Sequence, residues 1–480
     1  MNKRIEYPEA DSVTNSSTET SSLQSAVSGK SNYRSLVTII SLFFMWGFIT
    51  SLNDVLTPFL KGVFELSHFQ ANLVQFAFFG AYFIGSILYF FSSITIGDPI
   101  AKLGYKNGII IGLILSAAGC YLFYPSAEYR SFTFFLLALA CISLGLTILQ
   151  IASNPYVALL GKPETASSRL NLAQGFNSFG HTIAPVIGGF LIFKYFVIGD
   201  NPGANSVKTP YLIFGTAFIL LAIIIKFSHL PPLAAAGKIE RKPEAFKHLN
   251  LVFGIFAIFF YVGAEVSVGS NLVAYLKLPD VAGLPDADAS KYLAFFWGGA
   301  MTGRFMGSIS LSEAKGLKKY LSMLGVGLAL FVFIFLITKL DLSLVWYFLI
   351  FFGVNYFAFM IGKSLPARTL SIFSMFAMAL LLIGIFGNGK LAMWSVISIG
   401  LFNSIMWSNI FTLSIAGLDK YTSQGSSLLV MMIVGGAILP LIQGSVADAS
   451  GVHYSLFVPF FAYLYLIFFG IKGYKQKVRA

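Results

Sequence analysis

Along this chain the polar positions come in short clusters, and the apolar runs between them are long. Runs of mostly apolar residues fall near 36–60, 70–96, 107–124, 131–160, 170–196 and 209–229. After a polar interval they resume near 249–277, 291–311, 320–338, 343–362, 369–387, 391–418, 424–447 and 454–473. A helix needs about 20 such residues to cross a ~30 Å hydrocarbon core. The ~10-residue alternating segments of a transmembrane barrel are absent from the pattern. It therefore predicts an all-α polytopic membrane protein: six spans over 36–229, a linker at 230–248 and eight spans over 249–475, fourteen in all. Residues 1–35 are rich in Ser and Thr and too poor in apolar side chains to bury a core, so they read as a disordered tail. They lack the basic, apolar and small-residue order of a secretory signal.

Composition agrees with this solvent. Of the 480 residues 56% are hydrophobic and 11% charged, with a mean hydropathy of +0.78. A soluble domain of ordinary composition carries about 25% charged residues. That excludes a cytosolic enzyme, a secreted disulfide scaffold and a disordered protein. Cys120 and Cys141 lie in apolar runs without metal-ligand or redox spacing. The net charge of +12 is an orientation signal. With the N-terminus placed inside, 22 Lys and Arg fall on the cytoplasmic side and 7 outside, as the positive-inside rule requires of an even number of spans. Both termini are then cytoplasmic, and nucleic acid is not an expected partner.

The chain also repeats itself. Residues 180–189 read GHTIAPVIGG and residues 435–444 read GGAILPLIQG, sharing G-x-x-I-x-P-x-I-x-G at an offset of 255. Asp54 and Glu265, near the starts of the two halves, are offset by 211. The difference matches the length of a helical hairpin, placed here at 343–387. Two parallel six-span repeats plus an inserted hairpin resemble the major facilitator architecture. The loop GDPIAKLGYKNG at 97–108 is similar to that superfamily's loop after its second span. Asp98 and Lys102 in it are spaced to pair, or to pin helix ends in one state, as a gating loop.

Ionisable groups inside spans are costly and usually functional. Asp54 in SLNDVLTPFL is a candidate proton carrier, and Glu265 in YVGAEVSVGS a second titratable or sugar-binding group. Arg304 reads as structural, and His181 as a bundle histidine. Gln150 and Asn154 share one helix face, and Asn154-Pro155 interrupts the backbone ladder there. Gln174, Asn177 and His181 share a face of the next span. Amides donate and accept together, which suits vicinal hydroxyls. Trp46, Tyr82, Tyr261, Trp297 and Trp407 are available to cover an apolar sugar face.

SLNDVLTPFL, LQIASNPYVALLG, RLNLAQGFNSFG, YVGAEVSVGS and GSSLLVMMIVGGAILPLIQGSVADASG together resemble the fucose–proton symporter family of the major facilitator superfamily. The likeness is closer to its bacterial glucose/galactose branch, at Gln150 and Glu265. It implies a cation-coupled monosaccharide importer of the bacterial cytoplasmic membrane, not an enzyme, working as a monomer by alternating access. Asp54 matches the family's protonatable aspartate, and Gln174 and Asn177 its sugar-contacting amides. The implied substrate set is Ser51, Asn53, Gln150, Asn154, Gln174, Asn177, Tyr261 and Glu265. Proton coupling is expected at Asp54 and Glu265. Sodium held by Asp54 and Gln150 is the variant, and no organic cofactor is implied. The fucose member carries a glutamate at the position of Gln150, an asparagine at Ser51 and an amide at Glu265. The competing readings are a drug–proton antiporter of the same superfamily and a non-transporting sugar sensor.

Overall fold

The computed structural model describes residues 32–66, 68–196, 203–231 and 243–476. Most of the predicted tail and much of the predicted linker lie outside the described residues. Every regular element among the described residues is helical. Six long helices precede the linker: α1 Asn32–Val63, α2 His68–Thr95, α3 Tyr105–Glu128, α4 Phe132–Leu159, α5 Ala166–Phe190 and α6 Lys208–Phe227. Eight follow it. They are α7 Leu249–Leu276, α8 Asp286–Ser310, α9 Gly316–Thr338, α10 Leu342–Gly362 and α11 Pro366–Phe386, then α12 Gly389–Ile415, α13 Asp419–Ser450 and α14 Val452–Gly473. Among the described residues, twelve are both long and apolar enough to cross a membrane. The other two, α5 and α8, have 25 residues each but are more polar, because they face each other between the halves.

Helices in lipid gain little from hydrophobic burial against one another, so close backbone approach does the work. The repeated motif marks where. A Cβ on Gly180 of α5 would lie 2.3 Å from the carbonyl oxygen of Phe44 on α1. A Cβ on Gly435 of α13 would lie 2.1 Å from that of Phe259 on α7. The two halves thus use the same glycine of the same motif to seat equivalent helix pairs. Neither site admits a methyl group without backbone movement. Gly435→Ala is expected to destabilise the fold by about 1–3 kcal/mol. A thermal-unfolding scan in detergent should show a lowered midpoint, and an unchanged midpoint would contradict the packing described.

The halves otherwise share a pattern. In the first, α3 packs on α4 and α6, and α4 on α2. In the second, α11 packs on α12 and α14, and α12 on α8. Helix α11, half of the hairpin predicted at 343–387, therefore occupies a core position equivalent to that of α3 rather than a peripheral one. Helices α9 and α10 have no such counterpart. Helix α9 lies along α8 and reaches the first half through Phe333, whose ring is 5.8 Å from that of Phe179 on α5.

Candidate functional site

In the first half, polar side chains from three helices meet inside the bundle. Tyr82 of α2 lies beside Gln150 of α4 and Trp46 and Thr50 of α1. All but Thr50 are buried, and Gln150 Oε1 has no protein partner. One helical turn further along α4, Asn154 is fully buried with neither Oδ1 nor Nδ2 partnered. An unpaired buried amide costs about 1–3 kcal/mol. Such groups persist where a water or a ligand satisfies them. Residue 54 is four positions beyond Thr50 on α1, one turn nearer the face opposite the lysine-rich one. The side chains of Asn53 and Asp54 lie outside the described residues, and Ser51 of the same turn is buried.

Helix α5 packs on α1 and, less extensively, on α4. Gln174 is buried. Asn177 is buried too, but its Nδ2 donates to the Phe43 carbonyl at 3.1 Å. Its amide nitrogen is thus already engaged in holding α5 to α1, a duty that the amide-stripe reading did not include.

The second half contributes a charged pair. Glu265 Oε1 lies 3.4 Å from Arg304 Nη2, with both side chains mostly buried. Arg304 Nε also donates to the Ser404 carbonyl at 3.2 Å. Its Nη1 donates to Ser178 Oγ of α5, across the divide between the halves. Tyr261 lies beside Glu265 and Arg304, its hydroxyl buried and without a hydrogen-bond partner. Tyr463 donates to Asn403 Oδ1 at 2.6 Å nearby, leaving Asn403 Nδ2 unpaired. Arg304 thus pairs with Glu265 and reaches across to α5, contacts that its position along α8 did not indicate.

Toward the lysine-rich face the halves are joined by a ladder of polar contacts. Ser167 shares a hydrogen bond with Thr412 at 2.6 Å, and Ser168 Oγ donates to the Ser308 carbonyl at 2.5 Å. Asn171 Nδ2 donates to Asn409 Oδ1 at 3.4 Å. Ser167, Asn171, Gln174, Ser178 and His181 recur at helical spacing along α5. The same α5 face that supplies the amides is thus a seam between the halves. A longer stripe than the one singled out from the sequence was there to be read.

Asp98 completes this seal. Its Oδ1 accepts from Tyr89 Oη at 2.6 Å and from the backbone N–H groups of Ile100 and Ala101 at 3.0 and 3.1 Å, capping the helical turn Pro99–Leu103. Its Oδ2 accepts from Ser423 Oγ of the other half at 2.7 Å. It does not pair with Lys102, whose Nζ turns to the carbonyl of Ile96. The local cap explains why: with two N–H groups and a phenol already in place, the carboxylate points inward, away from the exposed lysine. At the surface, Lys162 and Glu313 bridge the halves at 2.7 Å, both well exposed. Lys162 holds the Glu313 carboxyl below its ordinary range. This contact is therefore present at neutral pH, is lost on acidification as Glu313 protonates, and is weakened by salt.

Comparison with known proteins agrees with this architecture. The profile of the Major Facilitator Superfamily matches residues 35–366. The chain is 43% identical over 459 residues to a glucose/galactose transporter of Brucella abortus, covering 95% of this chain and 98% of that one. It is 31% identical over 439 residues to the L-fucose-proton symporter of Escherichia coli, covering 86% of each. The crystal structure of the Major Facilitator Superfamily transporter FucP in the outward conformation superposes with a TM-score of 0.73 at 30% identity, covering 93% of this chain and all of that one. With two helical halves, motif glycines seating equivalent helix pairs, a polar centre between the halves and these relatives, the chain belongs to the major facilitator superfamily, alongside its fucose–proton symporter and glucose/galactose transporter members.

Proposed function

We propose that this protein imports a monosaccharide hexose, of the glucose, galactose or fucose kind, together with a cation. It is a multi-pass carrier of the bacterial cytoplasmic membrane with its lysine-rich face inside and both termini cytoplasmic. The observation that carries this reading is the 43% identity with a glucose/galactose transporter across nearly the whole of both chains. The unpaired buried amides and hydroxyl at Gln150, Asn154 and Tyr261 support it, since hydroxyl groups of a sugar would pair with them. The relatives named as sugar transporters weigh against a drug–proton antiporter, a non-transporting sensor and an enzyme. Sugar enters between the halves from the side opposite the Asp98–Ser423 seal. A proton is taken up at Asp54 or Glu265, with sodium at Asp54 and Gln150 as the variant. The halves then rock, and release on the inside resets the carrier. On the packing described above, we also assign the extra helix pair to α9 and α10, residues 316–362, in place of 343–387.

Counterflow tests the substrate class. Proteoliposomes preloaded with unlabelled glucose, galactose or fucose should take up the corresponding labelled sugar. Failure to exchange any of the three would contradict the proposal.

A further inference from the structure

The buried Glu265–Arg304 pair has a geometry that neither residue would need for packing. Arg304 comes from α8, Glu265 from α7, and the third partner, Ser178, from α5 in the other half. A guanidinium has a rigid fork of donors. Here one edge nitrogen serves a carboxylate within its own half and another serves a hydroxyl across the divide, while Nε is fixed on the Ser404 carbonyl. This contact sits on the same α5 face as the polar ladder at the lysine-rich end.

We propose that Arg304 is the positioning residue that transmits the charge of Glu265 to the junction between the halves. While Glu265 is anionic, the guanidinium is pulled between it and Ser178, and α8 is held against α5 with the lysine-rich end closed. When a proton from the opposite solution binds a Glu265 oxygen, the ion pair is lost and only the neutral contacts of Arg304 remain. The tether slackens and the ladder can part. The groups that face this pair are Tyr261 on α7, Tyr463 on α14 and, beside Arg304, His181 on α5. Among these, only Arg304 makes a hydrogen bond to both halves. This inference rests on the sugar-transport reading for its transport assays, and one of its arms does not use transport at all.

The test compares Arg304→Gln, Arg304→Lys, Ser178→Ala and the double variant Glu265→Gln/Arg304→Gln in proteoliposomes and detergent. The transport arm measures hexose counterflow as a function of pH. Arg304→Gln should lose about tenfold or more in exchange at neutral pH, the scale of losing one partner of a charge-assisted bond, and its pH profile should shift. Removing both charges together leaves no uncompensated buried ion, so the double variant should exchange faster than Arg304→Gln and lose the part of the pH dependence that Glu265 carries. Arg304→Lys keeps the charge but not the fork, and should fall between. Ser178→Ala leaves Glu265 paired and removes the cross-half contact, together with a Ser178 Oγ bond to the Gln174 carbonyl within α5, so it guards against a folding defect in the arginine variants.

The second arm replaces Thr412 with cysteine at the closed end, in a background with Cys120 and Cys141 changed to serine. The rate of maleimide labelling at position 412 is then read with no sugar present. Labelling should quicken about tenfold in Arg304→Gln and in Ser178→Ala relative to the parent. Unchanged labelling in both, with an unshifted pH profile, would overturn the proposal. Absence of hexose exchange in the parent would sink the sugar-transport reading, and the labelling arm would still decide the role of Arg304.

Discussion

Asp54→Asn is expected to abolish accumulation of sugar against its gradient while leaving exchange of internal for external sugar intact. Asparagine is close to isosteric with aspartate but has no carboxylate to bind a proton or a hard cation. Net uphill transport needs that cation to travel with the sugar. Exchange needs only a loaded carrier that rocks both ways. With one proton per sugar, each unit of pH gradient supports about a tenfold accumulation ratio, and the variant should bring that ratio to one. Position 54 lies on α1 one turn beyond Thr50, which shares the Tyr82–Gln150 cluster. On the proposed reading, a cation bound there is one turn from the Tyr82–Gln150 cluster. The measurement is accumulated labelled hexose under an imposed pH gradient, set beside counterflow in the same preparation. Undiminished accumulation would remove Asp54 from coupling and leave Glu265 as the carrier of the proton.

Gln174→Ala and Asn177→Ala are expected to separate, although both residues lie on one face of α5. Gln174→Ala should weaken sugar binding by about 5- to 30-fold, the loss of one or two hydrogen bonds, with little change in thermal stability. Asn177→Ala should weaken binding and also lower the unfolding midpoint. It removes the Asn177 Nδ2 bond to the Phe43 carbonyl that ties α5 to α1, at a cost of about 0.5–1.5 kcal/mol. Gly47 compounds this, since its α-carbon faces the Asn177 backbone so closely that a Cβ would lie 2.0 Å from the Asn177 carbonyl oxygen. Titration of sugar against each purified variant, with a melting scan alongside, reads both effects. Wild-type affinity in both variants would assign the α5 amides to packing.

The helices were legible in the sequence because lipid demands long apolar runs, and few soluble patterns imitate them. The shared glycine motif was legible for a related reason: the close approach of Gly180 to Phe44 and of Gly435 to Phe259 admits no larger residue. The location of the extra pair, which we assign to α9 and α10, rests on packing alone. Helix α10 and helix α11 are alike in length and apolar character, and only their packing partners distinguish them. The partners of Arg304 were hidden for a similar reason. Position along a helix suggested a membrane-edge cation, whereas its partners come from α7, α12 and α5, brought together only by the fold. Asp98 lay between these cases. Its i, i+4 spacing to Lys102 was visible, but the local cap and the distant Ser423 claim the carboxylate first. Spacing exposed the amide stripe on α5, but not that the same face is the seam along which the halves meet.

Gradient-driven uptake into proteoliposomes tests the central claim most directly. Purified protein is reconstituted without internal sugar, and labelled hexose is offered under an inward pH gradient, an inward sodium gradient, or neither. The account predicts accumulation above the external concentration under one of the two gradients, collapsing when an ionophore dissipates it. Uptake that only equilibrates under every condition, or no uptake of any hexose, would contradict cation-coupled sugar import.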